Sequence, residues 1–155
     1  MLLDMNLKML MRLLIKMRSL LFHCKNYEVK IDRIANRPEK IIPEEVKERV
    51  QECKDCIVVL ITIEIDDKIK KMTSLLKDEI SKMSLEVGHK NIVILPFAHL
   101  SNNLAQSKQG IEAITLIEEK LKGEFNVIRA HFGSHKSLLL DIYGHPGNAR
   151  YREFY

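Results

Sequence analysis

The chain is poor in the residues that cross-link or interrupt a fold. Its 155 residues include only 3 cysteines, 4 prolines and 6 glycines. An odd and small number of cysteines argues against a disulfide framework and favours a reducing, cytoplasmic environment. With 46% hydrophobic and 30% charged residues, the composition also excludes a disordered or collagen-like chain. The length fits one domain that buries its own hydrophobic core.

Long apolar runs are also missing, so the sequence predicts no membrane span. None approaches the roughly 18 consecutive apolar residues that a transmembrane helix needs. Residues 1–16 come nearest, but charges interrupt them at four-residue steps and no secretory cleavage site follows. These charges are Asp4, Lys8, Arg12 and Lys16. We interpret residues 1–16 as an N-terminal extension, either an added helix or the product of an early start codon, with a membrane-surface or partner-binding helix as the alternative. Residues 17–155 then form the domain.

Several nucleotide-binding and catalytic motifs are absent. The sequence has no GxxxxGK[ST] and no GxGxxG, so phosphate-binding loops of those types have no support. It has no GxSxG, the motif of the nucleophile elbow. Cys53 and Cys56 form a lone CxxC pair, for which ordinary packing is favoured over a zinc or redox role. The net charge of +4 permits contact with phosphate groups without requiring it.

Hydrophobic periodicity predicts alternating strands and helices. Strands are expected at 19–23, 27–34, 56–65, 91–95, 125–130 and 136–143. Helices are expected at about 72–87 and 107–122, with a short one at 44–53. The first two strands are expected to pair with each other. The sequence therefore predicts an α/β fold, layered as α+β, with a mixed β-sheet, two main helices and hairpins at the ends.

Polar side chains follow the ends of several predicted strands. They are His99, His131, His135, Lys136 and His145. In a layered α/β protein, neighbouring strand ends and their loops can converge on one crevice. Three histidines suit a metal, but the residues favour a metal-free polar site over a metal, and unconnected loop positions over both. The residue pattern alone leaves the three alternatives open.

Two sequence blocks narrow the choice. Residues 96–101 read PFAHLS and are followed by Leu104 and Ala105, while residues 132–136 (FGSHK) precede a GHP triplet at 144–146. Together these blocks resemble the editing domain of archaeal threonyl-tRNA synthetases, and the resemblance extends over residues 17–152. It implies a fold like that of D-aminoacyl-tRNA deacylases. It also implies hydrolysis of Ser-tRNA(Thr), with Thr-tRNA(Thr) spared, and neither a metal nor another cofactor.

The implied activity has a physical reason. Serine is threonine without one methyl group, and a missing methylene changes binding by only about 1–3 kcal/mol, so a synthetic site cannot exclude serine well. A second, hydrolytic site corrects the error. The implied partners are the 3′ end of tRNA(Thr) and, for a freestanding protein that edits in trans, a separate threonyl-tRNA synthetase. The resemblance further implies a homodimer.

The resemblance also assigns site residues by position. Lys136 matches the catalytic lysine, and His99 matches the pocket histidine. We expect Lys136 to act electrostatically on the water or the oxyanion, because an ordinary lysine with a pKa of about 10.4 is protonated at neutral pH. The expected substrate-binding residues are Ala98, Phe132, Gly133, His135, Gly110 and Ile63.

The chain departs from the family pattern at three places, one of which is a shorter loop after the first strand, at residues 24–26. Ser134 and His135 stand where aromatic residues usually precede the lysine, and Ala149 stands where a glutamate follows the GHP triplet. Asn148 or Glu153 is a candidate substitute for that glutamate. These departures keep an impaired deacylase under consideration, and also a non-catalytic tRNA-binding or synthetase-partner module that kept the fold. A D-aminoacyl-tRNA deacylase is disfavoured, because neither an SQxT nor an NxGP motif is present.

Overall fold

A computed structural model of the chain describes residues 4–7, 9–10, 16–37, 40–65 and 67–155. It contains a six-stranded β-sheet and two long helices. The elements, in chain order, are β1 (Met17–Ile34), β2 (Val50–Thr62), α1 (Ile69–Val87), β3 (Asn91–Pro96), α2 (Ser107–Leu121), β4 (Asn126–Arg129), β5 (Ser134–Ile142) and β6 (Ala149–Phe154). Within the predicted extension, residues 4–7 and 9–10 are helical. The rest of residues 1–15 lies outside the described residues, so the extent of the extension stays a prediction.

The sheet is mixed, which confirms the predicted fold class. The strand order is β4-β3-β2-β1-β5, and β6 pairs with the first part of β1. The β2–β3 and β3–β4 pairs are parallel, whereas β1 is antiparallel to β2, β5 and β6. Helices α1 and α2 provide the long crossovers that parallel pairing requires.

The two strands expected at 19–23 and 27–34 are one continuous strand, so the prediction that they pair with each other is wrong. Cys24 pairs with Cys56 of β2, and Asn26 pairs with Lys54, so Lys25 and Asp55 are left between the two pairs. Asp55 has a φ of 49°. Across the irregularity, the β1 residues that face one side of the sheet change from even-numbered (20, 22 and 24) to odd-numbered (27 and 29), and that phase change imitates the boundary between two strands.

The hairpin expected at the C-terminal end is also absent from the described chain. Strand β4 pairs with β3, and β5 pairs with β1, at opposite ends of the strand order. Four residues, 130–133, join the two strands. Such a link reaches only about 17 Å, less than the roughly 19 Å across a flat sheet of five strands. The sheet must therefore curl until its two ends approach each other.

The predicted helix at 44–53 is wrong as well. Residues 44–49 are irregular, and β2 already begins at Val50, which pairs with Lys30 of β1. The extended ladder fixes the backbone of residues 50–53 and so excludes a helix there. The sequence prediction also missed β6, whose residues Ala149–Phe154 alternate weakly in hydrophobicity.

Two apolar clusters lie on the two faces of the sheet. The first packs both helices onto the sheet, and its helical members include Leu76, Ile80 and Ile117. The second lies inside the curl and comprises residues of the strands and their flanks, with Tyr27, Val58 and Leu95 among them. Both helices appear where the sequence predicts them, and Gly88, with a φ of 75°, ends α1.

None of the helices in the described ranges is long and apolar enough to cross a membrane.

Candidate functional site

A cavity of about 620 Å³ lies at the carboxyl ends of the parallel strands, beside α2. Ile61 and Asp32 both line it, although they lie near the opposite ends of the β1–β2 pair. The pair therefore bends back on itself, in keeping with the irregularity at Lys25 and Asp55. Crevices at the carboxyl ends of parallel strands are the usual ligand sites of open α/β sheets.

All eight residues that the sequence assigns to the site line this cavity. They are Lys136, His99, Ala98, Phe132, Gly133, His135, Gly110 and Ile63. The structure thus brings together residues from β5, α2 and three connecting segments. Their roles in binding and catalysis are not decided by this placement and stay predictions.

Further lining residues escaped the sequence assignment. Asp32, Arg37 and Ile41 come from β1 and the segment that follows it, and Ser107 comes from the start of α2. Pro96 and Phe97 also line the cavity and belong to the PFAHLS block, although they are not among the predicted site residues. Asp32 and Arg37 belong to no motif, so only the fold reveals them.

Lys136 is the half-buried cation of the cavity wall. Its Nζ donates a hydrogen bond to the carbonyl oxygen of Ser134, at 3.2 Å. Burial lowers the pKa of Lys136 to about 8, and the negative charge of Glu44 partly opposes that effect. The lysine therefore titrates far closer to neutral pH than an exposed lysine does.

The segment after β3 presents His99 and Ala98, both exposed, to the cavity. Two hydrogen bonds tie this segment to the end of β2: the Phe97 amide donates to the Ile61 carbonyl at 2.9 Å, and the Thr62 hydroxyl donates to the Phe97 carbonyl. The rings of Phe97 and His99 meet edge to face with centroids 5.0 Å apart. The imidazole of His99 is therefore held against a fixed aromatic neighbour.

Two glycines permit close approaches around the β4–β5 turn, residues 130–133. A Cβ atom on Gly110 of α2 would meet the ring of Phe132, so the missing side chain lets that ring pack on the helix. Gly133 has a φ of 89°, and a Cβ there would lie 2.7 Å from the Cα of Pro43. Both positions of the resemblance thus have a steric reason to be glycine.

A segment that we call the strap, residues 35–37 and 40–49 in the described chain, is bound to this turn. The Ala35 amide donates to the Gly133 carbonyl at 2.9 Å, and the Glu44 amide donates to the Phe132 carbonyl at 3.1 Å. The Ile42 amide donates to the Ser107 hydroxyl of α2 at 3.0 Å. The strap therefore closes one side of the cavity between β5 and α2.

The other candidate histidines do not converge on the cavity. His131 binds the Ser134 hydroxyl and the Glu44 carbonyl through its two ring nitrogens, at 2.8 Å each. His145 lies near the opposite end of the sheet, where its Nε2 is 2.7 Å from Nδ1 of His23. The hypothesis of a shared three-histidine site is therefore wrong. Within the described residues, no group of three or more His, Cys, Asp or Glu side chains is placed to hold a metal ion.

The position of the family's glutamate is also away from the cavity. Ala149 begins β6 and pairs with Phe22, and neither Asn148 nor Glu153 lines the cavity. Asn148 donates instead to the Tyr143 carbonyl at 2.8 Å, and Glu153 pairs with Lys16 at 2.8 Å. Asn148 thus supports the loop between β5 and β6, and Glu153 ties β6 to the residue that precedes β1.

The three thiols are packed rather than paired. Cys24 and Cys56 are buried, and burial raises the pKa of the Cys24 thiol to about 12 and that of Cys56 further. Thiols in this state are poor nucleophiles and poor metal ligands. The CxxC pair thus fits the packing interpretation.

Solved structures of two other proteins share the fold. A probable eukaryotic D-amino acid tRNA deacylase superposes with a TM-score of 0.60 at 11% identity, covering 90% of this chain and 100% of that one. The c-Myc DNA unwinding element binding protein superposes with a TM-score of 0.58 at 13% identity, covering 88% and 98%. At these identities the similarity extends to the fold alone.

Sequence relatives are closer. The threonine–tRNA ligase of Thermococcus onnurineus is 38% identical over 139 residues, covering 84% of this chain and 21% of that protein. The threonine–tRNA ligase of Staphylothermus marinus is 35% identical over 133 residues, covering 84% of this chain and 21% of that protein. A threonine–tRNA ligase editing subunit of Saccharolobus solfataricus is 36% identical over 104 residues, covering 67% and 27%. The chain spans about a fifth of the length of the first two relatives.

The match to a family model extends over residues 17–154, which is nearly all of the chain and includes every residue of the cavity. The chain belongs to the family of the archaea-specific editing domain of threonyl-tRNA synthetase.

Proposed function

We propose that this protein hydrolyses the ester bond of Ser-tRNA(Thr) and spares Thr-tRNA(Thr). The observation that carries the proposal is the cavity itself, because half-buried Lys136 and all seven other residues expected for such a site line it. Family membership supports an editing role in translation. The reaction is a hydrolysis that needs a positioned water, a stabilised oxyanion and a substrate-sized pocket.

In this reaction water attacks the ester carbonyl carbon. The carbon–oxygen bond to the terminal ribose then breaks, and a proton passes to the leaving ribose oxygen, which yields serine and a free tRNA end. Lys136 stabilises the negative charge that develops on the carbonyl oxygen and helps to orient the water. His99 contacts the seryl group or the terminal adenosine. The neighbouring ribose hydroxyl assists, since most residues that line the cavity are apolar.

The protonation state of Lys136 fits this electrostatic role. A pKa of about 8 leaves about nine-tenths of the lysine protonated at pH 7. The ammonium is thus available in a partly desolvated site, where a charge acts more strongly than in water. A neutral lysine acting as the general base would instead require pH values above the pKa.

Discrimination against threonine requires tight apolar walls around the serine side chain. Buried Ile63 and the ring of Phe132, which packs on Gly110, supply such walls. Ala98 adds its backbone at the start of the loop. If serine already fills the pocket, the extra methyl group of threonine overpacks it, and this weakens threonine binding by about 1–3 kcal/mol.

The observation that favours a second candidate is His135. This exposed residue lines the cavity where the resemblance expects an aromatic wall. A non-catalytic tRNA-binding or synthetase-partner module, or an impaired deacylase, would tolerate that change. Ala149 gives less support to either, because its position lies outside the cavity.

The partners that we propose are the 3′ end of tRNA(Thr), a separate threonyl-tRNA synthetase and a second copy of the chain. Strand β5 ends the strand order, and its Leu139 and Leu138 are 51% and 39% exposed. An edge strand with exposed apolar side chains is suited to association. Sedimentation equilibrium measures the oligomeric state of the protein. A dimer supports the proposed self-association, and a monomer at high concentration contradicts it.

Deacylation of Ser-tRNA(Thr) by the wild type and by Lys136→Ala tests the enzyme against the binding module. We expect the wild type to be active and the variant to lose at least about a hundredfold in kcat/KM. The thermal midpoint of the variant should equal or exceed that of the wild type. Equal activity of the two proteins would remove Lys136 from the mechanism. Inactivity of both, with retained tRNA binding, would support the module.

A further inference from the structure

Glu44 is a strap residue that the sequence did not assign to the site. Its carboxylate reaches across to the β4–β5 turn: Oε1 accepts the Phe132 amide at 3.0 Å, and Oε2 accepts the guanidinium of Arg129. The backbone of Glu44 adds two more hydrogen bonds, because its amide donates to the Phe132 carbonyl and its carbonyl accepts from His131 Nε2. Glu44 therefore bonds to two residues outside the cavity, Arg129 and His131, and to both the amide and the carbonyl of one cavity residue, Phe132.

These contacts fix the part of the chain that leads into Lys136. Phe132 is held at both its amide and its carbonyl, and His131 is further bonded to the Ser134 hydroxyl at 2.8 Å. The carbonyl of Ser134 in turn accepts the Lys136 ammonium at 3.2 Å. Arg129 is anchored on α2 by a 3.0 Å bond to the Thr115 hydroxyl. Glu44 thus connects the strap, the helix and the turn into one network.

Glu44 is also the charge that acts on Lys136. The charged and titratable groups around the cavity include Asp32, Arg37, His99 and His135 as well. Among all of them, Glu44 is the group whose charge opposes the effect of burial on the lysine. No hydrogen bond between the two side chains is needed, since a carboxylate in a partly buried site acts over several ångströms.

We propose that Glu44 is a positioning residue for the hydrolysis, which fixes Phe132 and Lys136 through the turn and serves as the counter-charge of the lysine. The proposal rests on the catalytic role of Lys136 proposed above. It adds a residue outside the cavity that controls both the shape of one wall and the protonation of the reacting cation.

Two variants separate the contact from the charge. Glu44→Gln retains an oxygen acceptor for the Phe132 amide but removes the negative charge, whereas Glu44→Ala removes both. Glu45→Gln is the matched control, because Glu45 is the exposed neighbour and its substitution changes the net charge equally. The primary readout is the titration of Lys136, followed by NMR in protein with ¹³C-labelled lysine ε-carbons and assigned by the loss of one signal in Lys136→Arg.

We expect Glu44→Gln to lower the pKa of Lys136 by about half a unit or more, and Glu45→Gln to leave it unchanged. The pH profile of Ser-tRNA(Thr) hydrolysis should move to lower pH by the same amount. Glu44→Ala should lower kcat/KM about tenfold or more, with partial recovery in Glu44→Gln.

An unchanged Lys136 titration in Glu44→Gln, or the same shift in Glu45→Gln, would overturn the proposal. Because the titration needs no turnover, it decides the role of Glu44 even in a protein that fails to deacylate any tRNA. That failure would instead count against the proposed function.

Discussion

Phe132 packs so closely on Gly110 that a Cβ atom built on the glycine would lie 3.0 Å from Cε2 of the ring and 3.2 Å from Cζ. The ring lines the cavity, and the glycine lies on the buried side of α2. The absence of one side chain on the helix therefore sets the position of a cavity wall.

Gly110→Ala should separate function from stability. Alanine in a helix gains up to about 1 kcal/mol over glycine, which offsets the tight contact, so we expect a thermal midpoint near that of the wild type. The displaced ring should nevertheless lower kcat/KM for Ser-tRNA(Thr), by about tenfold. Gly123→Ala, where the added Cβ meets nothing within 4 Å, is the control. Wild-type activity in Gly110→Ala would show that the contact does not shape the site.

Gly133→Ala should destabilise the fold through a clash between the turn and the strap. Its φ of 89° strains any side chain, and the added Cβ would lie 2.7 Å from the Cα of Pro43. Gly88→Ala is the matched control, because its φ of 75° carries a similar strain in open space. We expect a loss of about 1–2 kcal/mol in free energy of unfolding for Gly88→Ala and clearly more for Gly133→Ala. Equal losses in urea titrations would contradict the close packing of the strap.

Lys136→Met should stabilise the protein while it abolishes hydrolysis. The folded-state pKa of about 8 lies below the unfolded value near 10.4, so the unfolded state binds more protons between these pH values, and wild-type stability rises with pH across that window. At pH 7 the half-buried ammonium destabilises the fold, and its removal should add about 1–3 kcal/mol to the free energy of unfolding. Denaturant titrations at pH 7 and pH 10 measure this. The exposed Lys30→Met is the control, and a destabilised Lys136→Met would contradict the account.

The histidines near the far end of the sheet predict a separate loss of stability in acid. Buried His23 lies 2.8 Å from His89 and 2.7 Å from His145, and its ring stacks on Tyr143. Burial chiefly, and then the two histidine charges, lower the pKa of His23, while Asp55 opposes them. The unfolded state therefore binds the extra proton first, and stability should fall as the pH drops below about 6.5.

Substitution of His23 tests that assignment. We expect His23→Phe to be less stable than the wild type at pH 7.5, because His89 and His145 lose a partner, but to show a shallower decline in thermal midpoint between pH 7.5 and pH 5. His135→Gln, which changes an exposed histidine, should keep the wild-type slope. If the thermal midpoint of His23→Phe fell as steeply between pH 7.5 and pH 5 as that of the wild type, the acid sensitivity would arise from other residues.

The sequence predicts the central elements well, because local patterns specify them. Helix α1 has apolar residues at helical spacing and a terminal Gly88, and β3 is a short apolar run ended by Pro96. Long-range pairing is what escaped prediction. The phase change at Lys25 resembles a strand boundary unless the partner strand is known, and residues 50–53 are polar enough to suggest a helix until their pairing with β1 is seen.

The site could be predicted only in its motif residues. Resemblance identified Lys136 and His99, and the structure places them on one cavity. Glu44 carries no signal of this kind, because its neighbours in space lie more than 80 positions away along the chain. Contacts formed by the curl of the sheet depend on the whole topology, which no local pattern encodes.

Selective removal of serine is measured by matched deacylation of Ser-tRNA(Thr) and Thr-tRNA(Thr) by the purified protein. Both substrates should be followed at equal concentration without added metal, beside an enzyme-free blank that corrects for spontaneous ester hydrolysis. We expect rapid loss of serine, with threonine loss at or near the blank. Equal rates on the two substrates, or no rate above the blank on either, would contradict this expectation.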